Sequence, residues 1–432
     1  MQPQSTPAFT AYQKFLIAIL ALLQFTVILD FMVLSPLGDI LMKALDMTPS
    51  GFGLVVSSYA FSAGASGILA AGFADKFDRK KLLLFFYAGF IVGTFFCAMA
   101  NSFWMLLAAR IVTGLFGGVI GSISMAIIAD LFATNQRGRV MGFVQMAFAA
   151  SQVLGIPIGL YIANLWGWHA AFLMIVLLAM LIGVAISLKM QPVTRHLALQ
   201  STNNAFQHLW LTLSNKSYQT GFLAIAFLSV GGFMLMPFGS AYLINNIHLT
   251  QKELPLVFLF TGISSIIIMP IVGRLSDRIN KFWLFTAGSV LAIVMVLIYT
   301  SIPPIPLWEV VVINVIMFMG IMSRMIPATT LNTSLPDMKD RGAYMSITSS
   351  LQQMAGGLAA VGAGLIVTQA DRTSPLANYN VLGYVVSVAF IGCIFFVYRI
   401  NVLVDKKNSD AALLTSTTDN QPVAIQVATV PE

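Results

Sequence analysis

Residues 14–38 read KFLIAILALLQFTVILDFMVLSPLG, in which Asp30 is the one acidic residue among mostly apolar side chains. An α-helix rises about 1.5 Å per residue, so about 20 residues cross the hydrocarbon core of a membrane. The run is too long for the core of a secretory signal peptide, and it lacks a small-residue cleavage site. We therefore interpret residues 14–38 as a first membrane-spanning helix.

The composition of the whole chain indicates that lipid surrounds most of it. Of the 432 residues, 58% are hydrophobic and only 9% are charged, whereas soluble proteins carry about 25% charged residues. Eleven further apolar segments lie near residues 52–74, 81–101, 103–129, 138–164, 167–189, 218–244, 254–276, 282–302, 306–333, 341–369 and 379–403. The sequence thus predicts an all-α membrane protein with twelve transmembrane helices, and it excludes a large water-soluble domain.

Cysteine and histidine are too few and too scattered for metal or cofactor chemistry. The two cysteines, Cys97 and Cys393, lie in separate apolar segments, which excludes a disulfide framework and a cysteine-based metal site. The four histidines show no metal-ligand spacing, and we find no nucleophile–base set at one depth. We expect no metal and no cofactor, and we do not expect an enzyme.

The positions of the basic residues predict the orientation of the chain. With the N-terminus in the cytoplasm, eighteen of the 23 Lys and Arg residues fall on the cytoplasmic side. Lys43, Lys252 and Arg372 fall outside, and Arg110 and Arg324 lie within helices. The positive-inside rule then places both termini in the cytoplasm and the protein in the cell (inner) membrane. Because the basic excess reports topology, we expect no nucleic-acid partner.

The two halves of the chain resemble each other. At a shift of 204 residues, Trp104 superposes on Trp308 and Met141 on Met345. A parallel repeat of six helices is typical of transporters that rock two bundles against each other; duplication for assembly alone is the alternative. The predicted organisation is an N-terminal cytoplasmic tail (1–13), an N-terminal six-helix bundle (14–189), a cytoplasmic linker (190–217), a C-terminal six-helix bundle (218–403) and a disordered cytoplasmic tail (404–432).

Several short motifs resemble those of a known family. Residues 71–81, AGFADKFDRKK, resemble the loop signature Gly-x-x-x-Asp-Arg-x-Gly-Arg-Arg/Lys of the major facilitator superfamily, and residues 273–281 form a weaker copy. Residues 110–118, RIVTGLFGG, are similar to its intramembrane Arg-x-x-x-Gly motif. Residues 155–159 (GIPIG) and 167–172 (GWHAAF) are similar to a pattern of its drug- and sugar-efflux proton antiporters, with histidine at a position where arginine is usual.

This resemblance implies a secondary active transporter. We expect proton-coupled efflux of a small amphiphilic molecule by alternating access, in a monomer that the lipid bilayer surrounds. Its partners would be a small-molecule substrate and protons as the coupling ion. Two alternatives remain open: proton-coupled uptake or facilitated transport of an anionic metabolite, and a non-transporting membrane receptor or lipid-handling scaffold.

Asp30 and Arg110 are candidates for proton coupling. An ionised group inside the membrane is costly, so Asp30 should be paired, protonated or in contact with water. The helical rise places Asp30 about 24 Å above Lys14 and Arg110 about 9 Å below Trp104, which brings both to a similar depth. Antiporters of the resembling family use an acid on the first helix together with this arginine. The alternative is a static salt bridge.

A second set of charges is predicted to act as a conformational latch at the cytoplasmic side. Such charges, in the resembling family, hold the two halves together in one state and release them in the other. The alternative is a cluster that only sets topology. The candidate latch residues are Asp75, Arg79, Asp130, Asp277 and Arg278.

Substrate contacts are expected from polar residues within the helices. Arg324 is a charge deep in the tenth segment, and Pro327 after it can bend that helix. Because Arg324 would be the unpaired charge within the helices, an anionic, zwitterionic or neutral polar substrate is favoured over a lipophilic cation. Packing by an internally bonded arginine is the alternative for Arg324, and interhelical hydrogen bonding is the alternative for each amide. The candidate amides are Gln145, Gln152, Asn314 and Gln352.

Overall fold

A computed structural model describes residues 9–71, 76–194, 197, 205–337 and 340–419, which form sixteen α-helices. The helices before residue 195 are α1 (Ala11–Val33), α2 (Gly38–Ala44), α3 (Pro49–Ala71), α4 (Arg79–Ala98), α5 (Phe103–Leu131), α6 (Thr134–Ala150), α7 (Ile156–Trp166) and α8 (Trp168–Lys189). The later helices are α9 (Ala205–Ser214), α10 (Lys216–Leu235), α11 (Gly239–Asn245), α12 (Leu254–Arg278), α13 (Lys281–Tyr299), α14 (Leu307–Ser334), α15 (Arg341–Ile366) and α16 (Tyr379–Asp419).

Eleven helical stretches of the described chain are long and apolar enough to cross a membrane. Two of them consist of two α-helices: a π-helical turn joins α6 to α7, and a 3-10 turn joins α10 to α11. The predicted eleventh crossing, α15, has 26 residues but is not among these stretches, because serine, threonine, glutamine and glycine dilute its apolar residues. The chain is a multi-pass helical membrane protein.

We name the two ends of the molecule by their residues. The far end comprises the segments 34–48 (with α2), 99–102, 246–253, 300–306 and 367–378. The termini end comprises residues 76–78, 190–194 and 335–337, and α1 begins there. The connection to α2 begins where α1 stops at Val33, five residues before the predicted segment ends.

Capping residues fix where α4 and α13 begin. The Asp78 side chain accepts a hydrogen bond from the Lys80 backbone N–H, and α4 begins at Arg79. The Asn280 side chain accepts one from the Phe282 backbone N–H in the same way, and α13 begins at Lys281. Such caps satisfy N–H groups that have no partner within the first helical turn.

The membrane-crossing stretch Gln136–Trp166 loses its α-helical hydrogen-bond pattern between α6 and α7. Residues Ser151–Gly155 form a single π-helical turn, and Pro157, which follows it, has no N–H to continue the hydrogen-bond ladder. Helix α12 approaches this turn so closely that a Cβ atom added to Gly262 would lie 2.8 Å from Val153 Cα. The irregular turn is thus held by a helix from the other half.

Small residues bring α3 and α15 together along their length. A Cβ atom added to Gly53 would lie 2.7 Å from the Ala360 carbonyl oxygen, and one added to Gly64 would lie 2.9 Å from the Ser350 carbonyl oxygen. Without side chains at these positions the helix backbones approach closely, as membrane helices commonly do. This contact joins the first half of the chain to the second.

Buried apolar side chains of the described residues form three clusters. One contains residues from 16 to 193 only, and another contains residues from 218 to 404 only. The third combines residues of both halves, among them Leu37 and Met42 of the far end. The ring centroids of Phe52 and Phe238, which belong to different halves, lie 6.1 Å apart in this shared cluster.

The predicted disordered tail requires a correction. Helix α16 does not stop at 403 but continues to Asp419. Lys407 anchors the extension, because its Nζ lies 2.9 Å from an Asp337 carboxylate oxygen and donates to the Leu335 carbonyl oxygen. Residues 420–432 lie outside the described residues. In the predicted linker, residues 205–214 form α9.

Candidate functional site

Asp30 and Arg110 form a fully buried ion pair between α1 and α5. Arg110 Nη1 lies 2.7 Å from Asp30 Oδ2, and neither side chain is exposed to any extent. The Thr94 hydroxyl donates to Asp30 Oδ1 at 3.1 Å. The structure thus brings together the two residues for which the helical rise predicts a similar depth.

The surroundings of this pair are only partly complementary to its charges. The Arg110 guanidinium lies 4.5 Å from the ring centroid of Tyr59, while its Nε and Nη2 have no hydrogen-bond partner among the described residues. Removal of one partner from such a pair would leave an uncompensated buried charge. Asp30 can therefore change its protonation state only if the surroundings of Arg110 also change.

A cavity of about 190 Å³ is lined by both halves of the chain. Its wall comes from α1, α6, α7 and the π-helical turn in the first half, and from α10 to α16 in the second. Methionine and phenylalanine predominate, among them Met32, Phe148, Phe233, Met317 and Phe318. Such a wall adapts to apolar groups of different shape.

Four of the five predicted substrate-binding residues line this cavity. They are Gln152, Asn314, Arg324 and Gln352. The fifth, Gln145, is exposed and lies outside the cavity lining. The Gln152 Oε1 atom and the Tyr379 hydroxyl, which also line the cavity, are buried and lack hydrogen-bond partners among the described residues.

Arg324 is the charged residue in the described lining. Its side chain is 1% exposed, and its guanidinium lies 3.6 Å from the ring centroid of Phe390 and 5.4 Å from that of Phe285. Its Nε and Nη2 have no hydrogen-bond partner among the described residues. The cavity therefore combines apolar walls with one buried cation, two of whose donors lack partners among the described residues.

A second, polar cavity of about 160 Å³ lies next to the first. Its lining comes from α3, α5 and α15 and consists of Ala63, Gly67, Gly118, Ser122, Ser346, Ser349, Ser350, Gln352 and Gln353. Gln352 borders both cavities. A hydroxyl- and amide-lined space thus adjoins the apolar one.

The far end carries a polar cluster that the sequence analysis missed. Asp39, on α2, is almost completely buried and accepts hydrogen bonds from Asn245 Nδ2 at 2.7 Å and Gln251 Nε2 at 2.8 Å. Lys43 Nζ lies 2.9 Å from Asp39 and donates to Asn245 Oδ1. We call these four residues the Asp39 cluster; it joins the two halves.

Further contacts close the same end. The Ser35 hydroxyl donates to the Met236 carbonyl oxygen at 2.6 Å, and the Ser240 hydroxyl donates to the Ser35 carbonyl oxygen at 2.9 Å. Arg372 Nε donates to Asp46 at 2.8 Å. No spacing in the sequence indicated these contacts, because about 200 to 330 residues separate the partners.

The predicted latch is only partly described. Arg79 Nε lies 3.4 Å from Asp130 Oδ2, so α4 and α5 are joined at the termini end. Arg278 is exposed at the end of α12. Asp75 and the side chain of Asp277 lie outside the described residues. Arg137, which was not predicted as a site residue, donates to the Ala129 and Phe132 carbonyl oxygens at the end of α5.

A helical membrane protein with an interior cavity between two halves has the architecture of a secondary transporter. The chain belongs to the Major Facilitator Superfamily, whose family model matches residues 20–361. Members of this family transport small molecules across membranes and are not enzymes.

Individual relatives are similar over different parts of the chain. The uncharacterized MFS-type transporter YceJ of Bacillus subtilis (strain 168) is 28% identical over 280 residues, which cover 64% of this chain and 70% of that protein. A probable sugar efflux transporter of Helicobacter pylori (strain G27) is 27% identical over 143 residues, which cover 33% of this chain and 36% of that protein.

A solved structure shares the fold. The crystal structure of a D-xylose–proton symporter superposes with a TM-score of 0.72 and 15% sequence identity, and the match covers 90% of this chain and 98% of that one. At this identity the likeness concerns the fold and not the substrate.

Proposed function

We propose that the protein is a proton-coupled exporter that moves a small amphiphilic molecule across the cell membrane by alternating access. The observation that carries the proposal is the fully buried Asp30–Arg110 pair, whose aspartate lies on a helix that also contributes Met32 to the cavity wall. Ionisable groups within membrane segments are costly and commonly serve transport. The buried carboxylate is the group proposed to bind and release the proton.

Coupling follows if Asp30 exchanges its arginine partner for a proton during the cycle. The two charges stabilise each other only while they remain together, because loss of one partner costs about 3–5 kcal/mol. Protonation of Asp30 would leave Arg110 with the Tyr59 ring as a neighbour, and the interior would then favour another arrangement. A static salt bridge, in contrast, predicts no response of transport to a proton gradient.

Alternating access requires that the two ends of the cavity open in turn. The Asp39 cluster and the Ser35 contacts close the far end, which the basic residues assign to the outer side of the membrane. The proposed latch of Asp75, Arg79, Asp130, Asp277 and Arg278 would close the cytoplasmic side in the opposite state. The cavity would thus collect its cargo from the cytoplasm.

The proposed architecture has twelve crossings in two six-helix bundles, with both termini in the cytoplasm and a monomer as the functional unit. Helix α15 would be the twelfth crossing despite its polar residues, because α3 covers it through the Gly53 and Gly64 contacts. Its serine and glutamine side chains, including Gln352, line the two cavities and so need not face lipid. Gln152 and Asn314 would contact the substrate from opposite halves.

Proteoliposomes test the proposed coupling. Two membrane-impermeant probes share one ring system, the anion naphthalene-2-sulfonate and the cation (2-naphthylmethyl)trimethylammonium. We expect an acidic lumen to drive accumulation of at least one probe by wild-type protein oriented inside out. Asp30→Asn should abolish this accumulation but retain exchange of probe for probe, since exchange needs no net proton movement.

Asp371→Asn is the matched control, because the Asp371 side chain is exposed and bonds only within its own loop, to Thr373 and Ser374. Gradient-driven accumulation by Asp30→Asn at the wild-type rate would contradict the coupling role. Accumulation that requires the opposite gradient would indicate uptake, and absence of movement of both probes would favour a receptor or scaffold.

A further inference from the structure

The most informative feature of the apolar cavity is the orientation of the Arg324 guanidinium within it. Phe390 lies against the face of this planar group, with 3.6 Å between the central carbon and the ring centroid. An aromatic ring stabilises a cation through its face, and this contact uses none of the in-plane N–H donors. Nε and Nη2 therefore remain without partners in the described structure.

These two donors have a defined geometry. Nε and Nη2 form one edge of the guanidinium, and their N–H bonds run parallel, which matches the two oxygens of a carboxylate or a similar oxyanion. Buried donors without acceptors are costly, so a ligand that supplies two acceptors would be favoured. The described lining contains no Asp or Glu that could take this place.

The rest of the wall defines the other part of the ligand. Asn314 and Arg324 both line the cavity and lie ten residues apart on α14, which corresponds to about 15 Å along the helix. Met317, Phe318 and Ile321 lie between them and face the same cavity. The apolar lining thus extends about 15 Å along α14, with a cation near one end of this stretch and an amide at the other.

We propose that the substrate is an elongated organic anion, whose carboxylate, sulfonate or similar head binds side-on to Arg324 Nε and Nη2 and whose apolar body lies along α14. This inference rests on the proposed transport function and specifies the substrate class of the same site. A lipophilic cation would meet the Arg324 charge without a compensating acid in the described wall. Such a ligand is therefore disfavoured.

Three probes that share a naphthalene ring and carry head groups of different charge test the inference. They are naphthalene-2-sulfonate, the neutral naphthalene-2-methanol and (2-naphthylmethyl)trimethylammonium, and their affinities are measured by calorimetry with the full chain in lipid nanodiscs and with empty nanodiscs as the blank. We expect the sulfonate to bind wild-type protein at least tenfold more tightly than the ammonium compound. The neutral probe should lie between them.

Variants at Arg324 provide the second comparison. Arg324→Gln should weaken sulfonate binding at least tenfold and leave the affinity for the neutral probe within about twofold. Arg324→Lys should retain part of the preference, because it keeps the charge but lacks the paired donors. Arg399→Gln removes an exposed charge of α16 and should change none of the affinities.

Several results would overturn the inference: equal affinities for the three probes, tighter binding of the cation, no binding of the sulfonate, or sulfonate binding unchanged in Arg324→Gln. If that variant does not fold, the order of affinities in wild-type protein and in Arg324→Lys still tests the anion site. Proton-driven transport of the cation that depends on Asp30 would reject the anion site and keep the proposed function. Arg324-dependent sulfonate binding without proton coupling would keep the anion site and reject proton-coupled export.

Discussion

At the scale of single residues, Asp30 and Arg110 depend on each other because neither charge has access to water. Arg110 holds the carboxylate at 2.7 Å, and Thr94 and Tyr59 complete the immediate surroundings. In such a site, an isolated charge is worse than no charge, and two apolar side chains can replace the pair with little loss. Replacement of both residues by apolar ones should therefore cost less stability than replacement of one alone.

We expect Asp30→Leu to destabilise the protein by about 3–5 kcal/mol, because it leaves the Arg110 charge buried without a partner. The double variant Asp30→Leu/Arg110→Leu should recover most of this loss. Thermal unfolding in detergent, followed by tryptophan fluorescence, measures the order of the midpoints. A double variant that is less stable than Asp30→Leu would show that the pair does not act as a unit.

At the scale of helices, the contact between α3 and α15 depends on the absence of side chains. Gly53 faces the Ala360 carbonyl oxygen, whereas a Cβ atom added to Gly362, also on α15, would meet nothing within 4 Å. Substitution by alanine can thus be compared at a tightly packed position, Gly53, and at an open one, Gly362.

Gly53→Ala should lower the free energy of unfolding by about 1–3 kcal/mol, because its methyl group would force the two helices apart. Gly362→Ala should be neutral or stabilising by up to about 1 kcal/mol, since alanine favours a helix over glycine. Midpoints of thermal unfolding compare the two variants. Equal midpoints would mean that the α3–α15 contact relaxes without cost.

The Asp39 cluster predicts a change in the distance between the halves. Asp39→Asn loses the charge that Lys43 pairs with and one of the acceptors for Asn245 and Gln251, so the far end should open more often. Spin labels at the exposed Met99 and Ser301 positions, one in each half, should show a larger population of long distances. Asp371→Asn, at the same end, should leave the distances unchanged; unchanged distances in Asp39→Asn would remove the cluster from the closing mechanism.

Sequence reasoning succeeded where a prediction depends only on positions along individual helices. A constant rise per residue was sufficient to place Asp30 and Arg110 at one depth, and the predicted segments coincide closely with helices such as α8 and α14. It failed for Asp39, whose partners Asn245 and Gln251 lie more than 200 residues away. The interruption at Ser151–Gly155 and the continuation of α16 were also missed, because they depend on Gly262 and on Asp337, which other segments supply.

At the scale of the whole molecule, the two halves should remain associated after the chain is cut. The shared apolar cluster joins them through contacts such as Phe52 with Phe238 and Phe31 with Phe233. Close packing of helices within a membrane needs no covalent connection.

We therefore expect residues 1–200 and 201–432, produced together as separate chains, to copurify through an affinity tag on one of them. The control mixes the two chains only after each has been solubilised alone. Recovery of the tagged chain without its partner would show that the connection between residues 194 and 205 holds the halves together.

Helix α16 extends the second half well beyond the membrane. Its 41 residues correspond to about 60 Å, roughly twice the thickness of the hydrocarbon core, and Lys407 ties the protruding part to Asp337. The helix can thus work as a lever arm: a tilt of the second half would be converted into a larger sideways displacement at Asp419. A fluorescent protein fused rigidly after Asp419 would therefore signal each tilt as a change in the direction of its polarised emission, without any label inside the transport pathway.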